Sequence, residues 1–112
     1  MAIAVEKIGD VVVVTLPVEE LDAGNAGQFK RDIAPLLEAH TKLVFDLSGL
    51  RFTDSSGLGF FLSCLRKAQA KGGDLKLCGM SRQVRTVFEL VRMQQLFNIH
   101  ATKEEAVRAF EQ

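Results

Sequence analysis

Two adjacent serines, Ser55 and Ser56, stand between Asp54 and Gly57 in the segment RFTDSSGLGFFL, just before an amphipathic run. Hydroxyls in such a place can cap a helix, act as a nucleophile, or accept a group from a partner. The nucleophile is disfavoured because G-x-S-x-G needs a glycine two residues earlier, where Asp54 or Thr53 stands. We therefore predict that the chain is not an enzyme and has no catalytic residue.

The glycines that follow the serines do not complete a nucleotide-binding pattern. Gly57, Leu58 and Gly59 begin a dinucleotide fingerprint, but Leu62 occupies the place of the third glycine. The sequence also lacks the G-K-[ST] triplet of a phosphate-binding loop. We expect no cofactor in this chain.

Histidine and cysteine do not form a metal-binding pattern. His40 and His100 stand alone, and Cys64 and Cys78 lie among apolar neighbours without C-x-x-C spacing. Free cysteines in such surroundings behave as small buried hydrophobic residues. We predict no metal site, and two buried thiols without a redox role.

The size and composition predict a single domain over residues 1–112. Hydrophobic residues make up 47% of the chain, which is enough for a core. The 14 basic and 14 acidic residues give zero net charge, so bulk electrostatics favour neither nucleic acid nor a membrane as a partner. No signal peptide or stretch of roughly 20 apolar residues is present. We expect a cytoplasmic protein, monomeric or weakly dimeric.

Hydrophobic alternation and β-branched runs predict five strands. The first two should form an antiparallel hairpin around a turn at Gly9 and Asp10, and the later ones should be parallel. The predicted strands are residues 2–7, 11–16, 42–47, 74–78 and 98–100.

Helical spacing predicts four helices between and after these strands. Residues that should cap them are Asp22, one of the two serines, Ser81 and Thr102. Pro35 lies inside the first helical pattern and should kink or loosen its last turn. The order of elements predicts an α/β fold with a mixed β-sheet and about four helices.

Two loops follow strand ends in this arrangement, namely VEELDAGNA and DLSGLRFTDSSG. In open α/β sheets, function gathers beyond the carboxyl ends of the strands. One serine suffices as a cap, which leaves the second hydroxyl and the small residues Gly57 and Gly59 unexplained. A hydroxyl there can accept a phosphoryl group, whose charge the positive end of the helix dipole tolerates.

The segment FDLSGLRFTDSSGLGFFL resembles the signature of the STAS family, the sulfate-transporter and anti-sigma-factor-antagonist domains. It is most similar to the stand-alone bacterial anti-sigma factor antagonists, and the similarity covers about residues 3–110. LDAGNAGQF matches the start of the family's first helix, and GGDLKLCGMSRQVRTVFEL matches its fourth strand and third helix. The resemblance implies a STAS-like fold and phosphorylation of Ser56, the second serine of D-S-S-G.

The resemblance also implies partner switching in signal transduction and transcription regulation. The unphosphorylated form would bind an anti-sigma factor that is also a serine kinase of the ATPase fold, and this binding would free the sigma factor. Phosphorylation of Ser56 would release the partner, and a serine phosphatase would reset the cycle. ATP and its metal ion would belong to the kinase.

Contact residues for the partner are implied around the phosphorylation site. Asp22 matches a family aspartate near the start of the first helix, although it could equally be a cap. Asp54 could position the acceptor or bind loop amides, and Leu58 could anchor the partner or pack in the core. The expected partner-binding residues are Asp22, Asn25, Asp54, Ser55, Gly57, Leu58 and Gly59.

The sequence departs from the family pattern after the third helix, and this departure bears on which partner is bound. Many antagonists carry Thr-Gly or Ser-Gly after the third helix, where this sequence has Val91 and Arg92. An alternative function is therefore a STAS module that regulates a signalling kinase or phosphatase, or a transport complex. A third interpretation is a two-component receiver with Asp46 at a strand end, but Lys76 is then misplaced inside its strand.

Overall fold

The five predicted strands form one sheet in the computed structural model, which describes residues 3–111. In chain order the strands are β1 Ala4–Ile8, β2 Val11–Thr15, β3 Glu20–Leu21, β4 Lys42–Asp46, β5 Phe52–Thr53, β6 Asp74–Cys78 and β7 Asn98–His100. The sheet has the order β1-β2-β4-β6-β7, with β1 antiparallel to β2 and the other pairs parallel. The predicted hairpin and mixed sheet are confirmed; residue 2 of the first predicted strand lies outside the described residues.

Four α-helices connect or follow these strands, as predicted. They are α1 Ala26–Ala39, α2 Ser55–Ala70, α3 Arg82–Leu90 and α4 Lys103–Ala109, and a 3-10 turn spans Met93–Gln95. The caps predicted at Ser81 and Thr102 are confirmed, because their hydroxyls accept the N–H groups of Val84 and Glu105 at 3.2 and 3.1 Å.

The expected effect of Pro35 on the last turn of α1 is not observed in its hydrogen bonding. The helix continues past Pro35 to Ala39, and the N–H of His40 donates to the carbonyl of Leu36 at 3.0 Å. A proline inside a helix lacks its own N–H donor and crowds the carbonyl four residues earlier. The end of the helix is nevertheless closed by the N–H of His40.

The sheet is covered by helices on both faces. Alternate residues of the central strands pack against α1, α2 and α3 in the main core, which includes the buried residues Val14, Phe45 and Leu77. The opposite face contributes Val13, Val44 and others to a smaller core beneath α4. Strand β4 is therefore buried on both sides, as its continuous apolar run indicates.

Aromatic rings fix the position of α2 over the sheet. Phe60 and Phe61 of α2 lie 6.0 and 6.4 Å, centroid to centroid, from Phe45 of β4. Phe60 also meets Phe29 of α1 edge to face at 6.5 Å. Such pairs contribute about 0.5–1.5 kcal/mol each beyond their buried area. The start of α2, which carries the two serines, is thus held on a rigid base.

Both cysteines are buried, which confirms their predicted role as small hydrophobic residues. Cys64 lies in the main core and Cys78 in the smaller one. Burial raises the pKa of each thiol to about 12, so neither is ionised near neutral pH. In the described part of the chain, no helix has the length and apolarity required to span a membrane.

Arg92 occupies the one left-handed conformation that a non-glycine residue adopts among residues 3–111, with φ 61° and ψ 23°. We expect Arg92→Gly to raise the free energy of unfolding by about 0.5–1 kcal/mol, because glycine avoids the left-handed penalty but loses more backbone entropy on folding. Urea unfolding followed by circular dichroism measures the difference.

Arg85 provides the matched control because it is an exposed arginine inside α3. Arg85→Gly should lower the free energy of unfolding by about 1 kcal/mol, since glycine is a poor helix former. A loss of stability in Arg92→Gly similar to that in Arg85→Gly would contradict the assignment of strain to Arg92.

Candidate functional site

A short parallel ladder brings together the two loops that contain the expected contact residues. In the pairing of β3 with β5, Glu20 lies opposite Phe52 and Leu21 opposite Thr53. The N–H of Arg51 strengthens the junction by donating to the carbonyl of Glu19 at 2.7 Å. Sequence reasoning missed this ladder because two-residue strands show no periodicity.

Asp54 holds the start of α2 and connects it to the loop before α1. Its Oδ1 accepts the N–H groups of Ser56 at 2.9 Å and Gly57 at 3.1 Å. Its Oδ2 accepts the N–H of Ala23 at 3.2 Å, across 31 residues of sequence. Asp54 therefore binds loop amides, which was one of its two predicted roles.

The expectation that one of the two serines caps α2 is wrong. Asp54 is the N-cap residue, with extended φ and ψ, and Ser55 and Ser56 are already inside the first turn. A carboxylate accepts two backbone N–H groups at once and carries a negative charge beside the positive helix end, so it is the stronger cap here. Neither hydroxyl is needed to start the helix.

The prediction of Asp22 as the N-cap of α1 is also wrong. The helix begins at Ala26, after a turn in which the Oδ1 of Asp22 accepts the N–H of Gly24 at 2.9 Å. Asn25 stabilises this turn, because its Oδ1 accepts the N–H of Asp22 at 2.9 Å and its Nδ2 donates to the carbonyl of Glu20 at 2.8 Å. Both side chains are half-buried and shape the loop beside α2.

The expected contact residues separate into an exposed set and a buried set. Ser55, Ser56 and Gly59 are exposed on α2. Gly57 is buried, and the side chain of Leu58 is 7% exposed and belongs to the main core. Of its two predicted roles, Leu58 therefore has the one in core packing and is not an exposed anchor for a partner. Its side chain supports the exposed surface from below.

A groove runs between the first halves of α1 and α2. It has a volume of about 390 Å³ and is lined by Ala26, Gly27, Lys30, Ser56, Gly59 and Phe60. Ser56 thus lies at a concave surface and not on a flat one. Two neighbours were missed by sequence reasoning, namely Lys30 in this groove and Phe52, which is 49% exposed on β5.

We expect Asp54→Ala to lower the free energy of unfolding by about 1–2 kcal/mol, because the N–H groups of Ser56, Gly57 and Ala23 lose their acceptor. Thermal and urea unfolding measure the loss. Asp54→Asn keeps an acceptor oxygen and should recover more than half of it. An alanine variant as stable as the parent chain would contradict the capping role.

The fold and the loop geometry define an α/β domain with an exposed serine held at a helix start. The family model of the STAS domain matches residues 2–106. The chain belongs to the STAS domain family, which excludes the receiver interpretation.

Similar sequences and similar solved structures include anti-sigma factor antagonists. The chain is 28% identical, over 80% of its length and 82% of the relative's, to the anti-sigma-B factor antagonist of Bacillus subtilis. Its structure is similar to that of the anti-sigma factor antagonist SpoIIAA in its unphosphorylated form, with 30% identity, a TM-score of 0.82, and coverage of 98% of this chain and 96% of the other. The structure is also similar to that of Bacillus SpoIIAA in its phosphorylated form, with 29% identity and a TM-score of 0.73. This match covers 97% of this chain and 99% of the other.

Proposed function

We propose that this chain is an anti-sigma factor antagonist whose binding to its partner is controlled by phosphorylation of Ser56. The observation that carries the proposal is the placement of Ser56, whose backbone N–H is fixed by Asp54 while its side chain is exposed at the α1–α2 groove. The relatives support it, since one is named an anti-sigma-B factor antagonist and SpoIIAA has both unphosphorylated and phosphorylated forms.

The proposed partner surface comprises the start of α2 and the loops beside it. Ser55, Ser56 and Gly59 provide an accessible patch without large side chains, so that a partner can approach the backbone closely. Phe52 provides the exposed aromatic side chain that interface cores favour. Asp22 and Asn25 border the patch, Asp54 fixes its shape, and Gly57 and Leu58 support it from beneath.

Phosphorylation would change the charge of this patch. A phosphoserine carries about −1.5 to −2 charges at pH 7. Placed in a contact that excludes water, such a charge costs several kcal/mol unless the partner offers a matching cation. The unmodified serine carries no charge, so the same surface binds before modification and is released after it.

The chemistry of the transfer belongs to the partner. In the proposed cycle, a serine kinase of the ATPase fold supplies ATP, whose γ-phosphorus forms a bond to the Ser56 Oγ as its bond to the β,γ-bridging oxygen breaks. The hydroxyl proton passes to a base of the kinase, and ADP leaves. A serine phosphatase returns the hydroxyl by hydrolysis. This chain provides the acceptor and no catalytic group.

Phosphosite mapping tests the proposal directly. The protein is purified from its native host under several growth conditions, and its intact mass and fragment spectra are compared with those of Ser56→Ala and Ser55→Ala variants. We expect an addition of about 80 Da on Ser56, absent from Ser56→Ala and retained in Ser55→Ala. A phosphate confined to Ser55, or none under any growth condition, would overturn the proposal.

A further inference from the structure

Lys30 is the one charged side chain that lines the α1–α2 groove, on the wall opposite Ser56 and Gly59. The rest of the groove is formed by small residues and one phenylalanine ring. Its volume of about 390 Å³ is many times the roughly 30 Å³ that liquid water occupies per molecule. A phosphoryl group attached to Ser56 therefore has room to lie between the helices.

The ammonium group of Lys30 has no carboxylate within the reach of its own helix. The positions three and four residues away on α1 are occupied by Ala26, Gly27, Ile33 and Ala34, so no ion pair of the usual helical spacing forms. The ion pairs of the described residues 3–111 join Lys42 to Asp10, Lys76 to Asp74 and Lys103 to Glu6. Lys30 takes part in none of these.

The charge of Lys30 acts across the helix pair and not only toward solvent. Burial raises the pKa of the Cys64 thiol on α2, and the positive charges of Lys67 and Lys30 lower it in part.

The nearest acidic side chain of the Ser56 loop is already engaged. Both carboxylate oxygens of Asp54 accept backbone N–H groups, and those bonds hold the loop together. Asp22 directs its Oδ1 to the N–H of Gly24. Neither carboxylate forms an ion pair with Lys30, whose exposed side chain lines the groove.

We infer that Lys30 binds the phosphoryl group of phosphorylated Ser56 and holds it in the groove, so that the modification links α1 to α2. The ammonium group donates hydrogen bonds to the phosphoryl oxygens, and the pair closes the concave surface that the unmodified protein presents. This inference rests on the proposed function, because it concerns the position of the phosphate once Ser56 carries it.

The test uses the full chain with phosphoserine inserted at position 56 during translation. Phosphorus NMR follows the second ionisation of the phosphate in the parent chain, in Lys30→Gln and in Lys30→Arg. We expect Lys30→Gln to raise the pKa of the phosphate by about half a unit, the size of effect expected for an exposed ion pair. Lys30→Arg should stay near the parent value because it keeps the charge.

Lys67→Gln is the matched control, since it removes the same charge from the same helix pair. Lys67 lies 11 residues beyond Ser56 on α2, about 16 Å along the helix axis and beyond the screening length at physiological salt. Its titration should coincide with that of the parent chain. Coincident titrations of Lys30→Gln and the parent, or equal shifts in Lys30→Gln and Lys67→Gln, would overturn the inference.

The two proposals fail in different experiments. Because phosphoserine is inserted independently of any kinase, the titration reports on Lys30 even if the host never modifies Ser56. Conversely, phosphosite mapping in the host can succeed while the titrations coincide, which would leave phosphorylation intact and remove only its pairing with Lys30.

Discussion

Replacing Gly57 by alanine should lower the free energy of unfolding by about 1–3 kcal/mol, the range that overpacking of a filled site produces. A Cβ built on Gly57 lies 2.6 Å from the carbonyl oxygen of Leu21 and also overlaps the side chain of Thr53. Both obstacles belong to the β3–β5 ladder, so the added methyl group must push α2 away from the loops that shape the site. Urea unfolding measures the loss.

Gly59 provides a control two residues further along the same helix. A Cβ built there meets nothing within 4 Å, and the residue is exposed. Gly59→Ala should therefore raise the free energy of unfolding by about 0.5–1 kcal/mol, through the lower backbone entropy of alanine in the unfolded chain. Since alanine is the better helix former, helix propensity would stabilise both variants, and destabilisation of both to the same extent would contradict the assignment of the loss at Gly57 to its contact with Leu21.

The periodic elements could be predicted from the sequence because each presents its own pattern. Strand 74–78 and the caps at Ser81 and Thr102 agree with the structure, since a β-branched or apolar run and a hydroxyl before a helix are local signals. The antiparallel hairpin and the parallel direction of the later strands also agree with the structure. These are short-range rules that require no knowledge of distant contacts.

The details of the site could not be predicted, because they depend on contacts between separate loops. Asp54 caps α2 with one carboxylate oxygen, and its second oxygen also accepts the N–H of Ala23, which is distant in sequence. Asp22 fails as a cap because Asn25 and Asp22 together form a turn before the helix. The burial of Leu58 and the position of Lys30 opposite Ser56 likewise result from the packing of α1 on α2.

Arg92 departs from the family pattern and adopts a backbone conformation that is unfavourable for arginine. The resemblance to antagonists places a glycine at this position, and the structure gives it a left-handed conformation that glycine adopts without strain. The arginine therefore carries a conformational cost in this chain. Three large apolar side chains nearby in sequence, Leu90, Val91 and Leu96, are each at least half exposed.

The largest functional effect should come from placing a fixed negative charge at Ser56. We expect Ser56→Glu to weaken binding of the cognate anti-sigma factor by about 100-fold or more, which corresponds to about 2.7 kcal/mol. A partner surface that fits a neutral serine would have to bury this carboxylate without offering a cation of its own, and uncompensated charges in interfaces cost about 2–5 kcal/mol. Ser56→Ala, which stays neutral and small, should bind within about threefold of the parent. Isothermal titration calorimetry with the purified partner measures both.

Gln69→Glu separates a local effect from one of net charge. Gln69 is exposed on the last turns of α2, 13 residues and about 20 Å along the axis from Ser56. The substitution Gln69→Glu adds a negative charge to the same helix. The affinity for the anti-sigma factor should nevertheless change by less than about threefold, because exposed charges at this separation are screened by salt. Equal losses in Gln69→Glu and Ser56→Glu would assign the effect to overall electrostatics. Full binding by a folded Ser56→Glu variant would place the partner contact elsewhere on the domain.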